Sequence, residues 1–382
     1  MKTFLQLLAW IAILAAQCSA TYVIVNNDNP AGNSVSVYVL DSGGVLHPYK
    51  VLSTGGTGGG MSDYGWTGQA VGQNASCGFV ADTGSNDIAS FSEARGFAKV
   101  GNYSNSALVF NGFGSTIALT QSGKFLYAAY SGSGNIGAWA VNKDCSLTFI
   151  AAYTPSMGID IDYFLRTTPN SQSLVVVGEY LARAELFSIN QTTGTLTDVG
   201  FVDFPSSTNG CNGYGCAPAG IDITSDGKFA ILANAVQESS ALSVEITSSG
   251  LTNPQVWPLA VSDLSWAEVP FLSAAAYKGN GNVYFSMAGQ GYTSPGVITA
   301  TLQESNGGIT IVFRAETVIQ NTPIARVGGI AASGDLMVVV EPLTGIQVFQ
   351  ILESGQLEPD NGIFNDPQAY ALTNLALFPN TR

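Results

Sequence analysis

One strand-forming phrase returns seven times along this chain. It reads YVIVNN (22–27), CGFVADTG (77–84), KFLYAAYSG (124–132), SLVVVGEY (173–180), KFAILANA (228–235), NVYFSMAG (282–289) and DLMVVVEP (335–342). Aligned on Val25, Val80, Ala128, Val177, Leu232, Ser286 and Val339, the copies lie 55, 48, 49, 55, 54 and 53 residues apart. Each is a short run of β-branched, aromatic and small apolar residues bounded by Gly, Asn or Asp. The apolar residues run together instead of alternating with polar ones, as in a strand packed on both faces. An all-strand repeat of this period predicts a β-propeller.

The third copy shows the unit. STIALTQ (115–121), FLYAAY (125–130), NIGAWAV (135–141) and LTFIAAYT (147–154) read as four successive strands, separated by SGK, SGSG and NKDCS turns. The expected fold is therefore all-β: one seven-bladed propeller of four-stranded antiparallel blades over residues 21–382, with sheets packed on sheets. The tail ALTNLALFPNTR (371–382) looks like a first strand with its turn, whereas residue 21 opens directly on a second strand. The C-terminal strand is thus expected to complete the N-terminal blade and close the ring. Removing the last dozen residues should then destabilise the fold.

Residues 1–20 stand apart. Lys2 precedes an apolar run (4–16), and Cys18, Ser19 and Ala20 supply small residues before a cut. This is the pattern of a secretory signal peptide. The protein is expected to be secreted, extracellular or periplasmic, and no later apolar run has membrane-spanning length. Four cysteines remain, a number that suits two disulfides in an exported chain. Cys211 and Cys216 flank the short NGYG loop and should pair locally, which leaves Cys77 with Cys145. Asn74, Asn102 and Asn190 each open an Asn-X-Ser/Thr acceptor for glycosylation in a eukaryotic host.

The net charge is −14, and only 10% of residues are charged. That balance repels phosphate backbones and anionic bilayers, and no Lys/Arg cluster offsets it, so nucleic acid is not an expected partner. The chain is expected to be a monomer.

STIALTQSGKFLYAAYSGSGNIGAWAV, CAPAGIDITSDGKFAILANA and LDSGGVLHPYKVLSTGG resemble the seven-bladed propellers of the lactonase family. That family includes 6-phosphogluconolactonase-like proteins and 3-carboxy-muconate cyclases. The resemblance covers essentially everything beyond residue 20. It implies a lactone hydrolase or a muconate cycloisomerase, acting on a small sugar-derived or carboxylated lactone in the central funnel. The family's histidine falls here at Ala219 and its glutamate at Ala235. FSMAGQG lacks an expected arginine, and VVVEPLTG carries Glu341 instead. The family's catalytic set is therefore not matched by position. A non-catalytic extracellular recognition or adhesion propeller, binding glycan or protein, is the alternative.

In this topology the loops after second strands and before first strands gather on one face. The former carry Asp28, Asp82, Tyr130, Glu179, Asn234 and Glu341. The latter carry Asp160, Asp162, the Cys211–Cys216 loop, Trp266, Glu268, Arg326 and Tyr370. Glu341 and Glu179 with Arg326 form the candidate catalytic set, since neighbouring carboxylates can split into an acid and a base. Asp82, Tyr130, Asn234, Trp266, Glu268 and Tyr370 are candidate ligand contacts. Carboxylates are equally ordinary at solvated turns. No cofactor is implied, although Asp160 and Asp162 share one side of a strand and calcium is the ion such oxygens would hold.

Other residues read as structural. His47 is the only histidine and falls on an outermost strand of the first blade, which leaves no Ser-His-Asp scheme. STGGTGGG (53–60) lacks the Lys-Ser/Thr of a phosphate loop and reads as a flexible inter-blade connection. Trp66, Trp139 and Trp257 read as inter-blade packing, and Trp266 is the tryptophan to test. Arg326 or Arg183 facing a perturbed carboxylate would mark an enzyme, and an exposed aromatic patch would mark a binding module.

Overall fold

The computed structural model describes residues 21–60, 71–73, 77–110, 116–158, 163–179, 181–205, 216–234, 240–259, 271–277, 281–288, 296–305, 308–318, 329–341, 345–360, 362–365 and 375–378. The signal-peptide reading of 1–20 lies outside them. The described chain forms seven four-stranded antiparallel sheets, one per repeat. Blade 1 runs Leu375–Phe378, Thr21–Asn26, Ser34–Leu40, Leu46–Ser53, and blade 2 runs Val71–Gln73, Cys77–Asp82, Asp87–Ser92, Ala98–Tyr103. Blade 3 is Ile117–Leu119, Phe125–Tyr130, Asn135–Val141, Leu147–Tyr153. Blade 4 is Tyr163–Thr167, Ser173–Gly178, Arg183–Ile189, Leu196–Asp203. Blade 5 is Pro218–Ile223, Phe229–Asn234, Ser240–Thr247, Gly250–Pro258, and blade 6 is Phe271–Tyr277, Asn282–Ala288, Gly296–Ser305, Gly308–Val318. Blade 7 is Ile330–Ser333, Leu336–Glu341, Gly345–Ile351, Leu357–Pro359. In blade 1 the C-terminal strand pairs antiparallel with the N-terminal one, Tyr22 opposite Phe378 and Val25 opposite Leu375.

The unbroken apolar runs now have a geometric cause. In Phe125–Tyr130 every residue is buried. Leu126, Ala128 and Tyr130 pack toward blade 2, while Phe125, Tyr127 and Ala129 pack toward blade 4. Successive side chains still alternate, but both faces meet another blade. Val175 and Val177 likewise face blade 5, and Leu174 and Val176 face blade 3. Among the described residues, seven apolar clusters result, one at each seam, including the seam where Val23, Val25 and Tyr38 of blade 1 meet Val338, Val340 and Val348 of blade 7. The fourth strands face water; Leu46–Ser53 buries only its two leucines.

Turn chemistry repeats with the blades. Thr120, Thr168 and Thr224 each end a first strand. Each hydroxyl accepts the backbone N–H five residues on, from Phe125, Ser173 and Phe229 at 3.1, 3.0 and 3.0 Å. The tight turn is closed by the side chain as well as by the backbone. Tyr127 donates across a seam to the Gly194 carbonyl of blade 4, and Tyr284 does the same to Gly355 of blade 7, each at 3.0 Å. One feature was not legible in the sequence. A register shift between third and fourth strands recurs in blades 1 to 6, as at Ala138/Trp139 and Leu186/Phe187. Such bulges increase twist near the sheet edge.

Cys77 is bonded to Cys145 across a sequence separation of 68 residues, which staples blade 2 to the outer turn of blade 3. Closing a loop of that length is worth roughly 4 kcal/mol in the chain-entropy account. Cys216 is also disulfide-bonded. Its expected partner, Cys211, lies outside the described residues. No described helix is long and apolar enough to cross a membrane.

Candidate functional site

The described part of the candidate face centres on the top of the seam between blades 1 and 2. Thr21–Asn26 runs out into Asn27 and Asp28, buried from Val23 onward, and Asp28 takes a left-handed φ of 47°. Asp28 Oδ1 accepts the Gly59 N–H at 2.8 Å. On the neighbouring blade, Asp82 ends the second strand and is 0% exposed. Asn33 joins the two blades: its Nδ2 donates to Asn26 Oδ1 at 2.9 Å and to Asp82 Oδ1 at 2.7 Å. Asn102 Nδ2 donates to Asp87 and stands 3.5 Å from Asp82 Oδ2.

The glycine run forms the roof of this cluster. Asn33 N donates to the Gly56 carbonyl, Gly58 N to Asn29 and Gly84 N to the Thr57 carbonyl, at 2.9, 2.9 and 3.0 Å. Thr57 N in turn donates to Ser85 Oγ at 2.9 Å. A Cβ on Gly56 would fall 2.3 Å from Asp82 Oδ2, and one on Gly58 would fall 2.3 Å from the Asp28 carbonyl carbon. Glycine is needed because backbone lies directly on carboxylate. The loop is inter-blade, as expected, but it is fastened to both blades rather than left as a free connection. Its signal was present as a glycine run within one blade of two acidic strand ends.

Burial of Asp82 pushes its pKa up to about 7. The Asn33 amide works against the shift, and the Asp87 charge adds to it. The side chain can thus hold a proton near neutral pH while buried beneath the glycine run.

The other sequence candidates fall in different surroundings. Tyr130 is 0% exposed and stacks on Phe110 with ring centroids 4.1 Å apart, so it belongs to the core of the seam between blades 2 and 3. Burial drives its hydroxyl pKa upward. Asn234 is also buried. Its Oδ1 accepts the Ala217 N–H at 2.8 Å and its Nδ2 donates to Ser240 Oγ at 2.6 Å, which ties the second and third strands of blade 5 to its entry. Both side chains are buried at the ends of second strands, between blades. Glu179 follows the second strand of blade 4 and is partly buried, and Glu341 ends that of blade 7 opposite Gly345. Arg326, Trp266, Glu268, Tyr370, Asp160 and Asp162 lie outside the described residues, as do Ala235, Asn74 and Trp66.

Arg183 is not an axial group. Its Nε donates to Asp203 Oδ1 at 2.6 Å, and its guanidinium lies 3.6 Å over the Phe201 ring on the outer strands of blade 4. His47 sits on the outermost strand of blade 1, 2.9 Å from Asp41, and is exposed. Trp139 packs edge-on against Phe149 in an inter-blade cluster, and Trp257 donates to Ser243 Oγ at 2.8 Å. Of the exposed aromatics, Tyr49 and Phe201 stand on different blades. No group of three metal-ligating side chains occurs among the described residues.

Sequence reasoning missed Glu185. It is buried in the third strand of blade 4, where it accepts the Ser156 N–H and hydroxyl at 2.8 and 2.7 Å. Burial raises its pKa against those two hydrogen bonds. A carboxylate inside the apolar run RAELFSI was the available signal. Its role here is to hold the blade 3–4 connection.

Comparison with known proteins agrees with this architecture. The family described as "Lactonase, 7-bladed beta-propeller" matches residues 85–211. No curated protein matches the sequence. Among solved structures, the periplasmic gluconolactonase of Pseudomonas aeruginosa superposes with a TM-score of 0.70 at 14% identity, covering 94% of this chain and 99% of that one. A protein from Bacteroides uniformis, provisionally named a 6-phosphogluconolactonase, gives 0.71 at 12% identity over 94% and 99%. A protein from Lactobacillus plantarum gives 0.69 at 13% identity over the same shares. Residues 85–211 thus match the lactonase family's model, and the described chain has the seven-bladed β-propeller architecture of that family.

Proposed function

We propose that this propeller is an exported lactone hydrolase, acting on a small sugar-derived or carboxylated lactone in the central funnel. The lactonase-family match over residues 85–211 carries the reading. The Cys77–Cys145 bond supports an oxidising compartment. The net charge of −14 disfavours a phosphorylated substrate. Glu341 and Glu179 supply the base that activates water and the acid that protonates the ring oxygen as it leaves, and Arg326 stabilises the oxyanion formed at the carbonyl.

The test is proton release over a panel of unphosphorylated lactones. Turnover of at least one is expected, with a loss of about 100-fold or more in Glu341→Gln or Glu179→Gln. An inert panel overturns the hydrolase. Turnover unchanged in both variants overturns these residues.

One observation favours recognition without catalysis. Ala219, which stands in the place of the family's histidine, is 0% exposed, pairs with Ala233 and packs in the apolar cluster between blades 4 and 5. Glycan-array binding together with an inert lactone panel would favour that second reading.

A further inference from the structure

Three Asn-X-Ser/Thr acceptors occur, at Asn74, Asn102 and Asn190, and the structure treats the two described ones in opposite ways. Asn190 stands at the tip of the outer hairpin of blade 4, between Arg183–Ile189 and Leu196–Asp203. It is exposed, as are Gln191 and Thr192. Its Oδ1 accepts the N–H groups of Thr192 and Thr193 at 2.9 and 3.1 Å. Its backbone is held by Thr195 and Gly194, at 2.9 and 2.8 Å. Gln191 reaches back to the Ser171 and Ile189 carbonyls, so the turn has one shape. The carboxamide oxygen is committed to the turn, and the nitrogen has no hydrogen-bond acceptor among the described residues.

Asn102 is the converse. Its Nδ2 is the donor that bridges Asp87 and Asp82. A substituted amide keeps a single N–H and cannot serve both carboxylates. A sugar on that nitrogen would also occupy the space taken by Asp87.

We infer that Asn190 is an N-glycosylation site of this protein and that Asn102, despite its matching tripeptide, is not. The donor is a polyprenyl-pyrophosphate-linked oligosaccharide. Nδ2 of Asn190 attacks C1 of the first sugar and the N–C1 bond forms. The C1–O bond to the pyrophosphate breaks, the polyprenyl pyrophosphate leaves, and Nδ2 gives up one proton. The finished glycan stands off the outer rim of blade 4, clear of the seams.

The inference rests on the export reading, and the two can fail separately. The full chain is expressed in yeast behind a host secretory leader, and in parallel behind its own residues 1–20 alone. Secreted protein is treated with peptide-N-glycosidase in ¹⁸O water and mapped by mass spectrometry. The expected result is ¹⁸O-labelled aspartate at position 190 and unmodified asparagine at 102, with the label at 190 abolished by Thr192→Ala. Bare Asn190 in material whose Cys77–Cys145 bond has formed overturns the inference, as does a glycan on Asn102. Retention in the cell with the native leader alone counts against export and leaves the result at Asn190 standing.

Discussion

Between blades 4 and 5 the seam is apolar from Phe164, Val175 and Val177 through Leu186 to Ile221, Leu232 and Val244. Among the described residues its charge lies at the margin, where half-exposed Arg166 meets Asp222 at 2.9 Å. Between blades 1 and 2 the apolar layer of Ile24, Val37, Val80 and Phe91 is topped by a buried polar one, with Asp28, Asn33 and Asp82 under a glycine roof. The first seam is held by area removed from water, which is non-directional and tolerant. The second depends on each donor finding its acceptor, and its cost appears wherever one is lost. The same repeat thus builds two kinds of joint, and only the polar one should respond to pH.

The largest expected effect tests the apolar seam. Leu232→Ala should cost about 3 kcal/mol in denaturant unfolding, with little change in that cost from pH 5 to 8. A cost under about 1 kcal/mol would mean that the seam collapses to fill the gap. Next comes the roof. Gly58→Ala should cost about 2 kcal/mol, because the new methyl meets the Asp28 backbone rather than a side chain that can swing away. Gly56→Ala should cost less, since it meets the carboxylate end of Asp82 and the Ser85 hydroxyl. Equal costs would mean that the roof shifts as a unit.

The smallest effect is the sharpest. Asp82 has a folded pKa raised to about 7 from an ordinary 3.8, so the unfolded state ionises first. Its contribution is fully present below pH 4 and is lost as pH rises toward and through 7. Asp82→Asn keeps a neutral amide against Asn33 and should remove that slope. The variant should gain on the wild type by about 1–2 kcal/mol between pH 5 and 8, after allowing for screening. Parallel pH profiles in the two proteins would place the ionised carboxylate comfortably in the seam and break the contrast.

The blades were legible because a strand packed on both faces leaves an unbroken apolar signature, and turns leave Gly, Ser and Asp between copies. The strands of the third repeat are found at 117–119, 125–130, 135–141 and 147–153, within the segments read from the sequence. His47 and the Cys77–Cys145 pair also follow from position and count. The candidate site was legible only as a set of strand ends. Which of those ends point into a seam depends on the neighbouring blade, some 50 residues away in the chain. Tyr130 and Asn234 were therefore read from their strand ends alone, and Glu185 was passed over inside its apolar run.

Local pattern alone determined that this chain makes strands, how many blades they form and which family the phrases resemble, because period, turn residues and β-propensity are carried by adjacent residues. The tertiary structure decided that Asp82 is buried and protonatable near neutral pH, that the glycine run is a roof, and that, among the described residues, the Asn102 amide nitrogen bonds carboxylates where that of Asn190 does not. Burial and hydrogen-bond partners are set by residues distant in sequence, such as Asn33 and Asp82, and appear only when the blades are brought together.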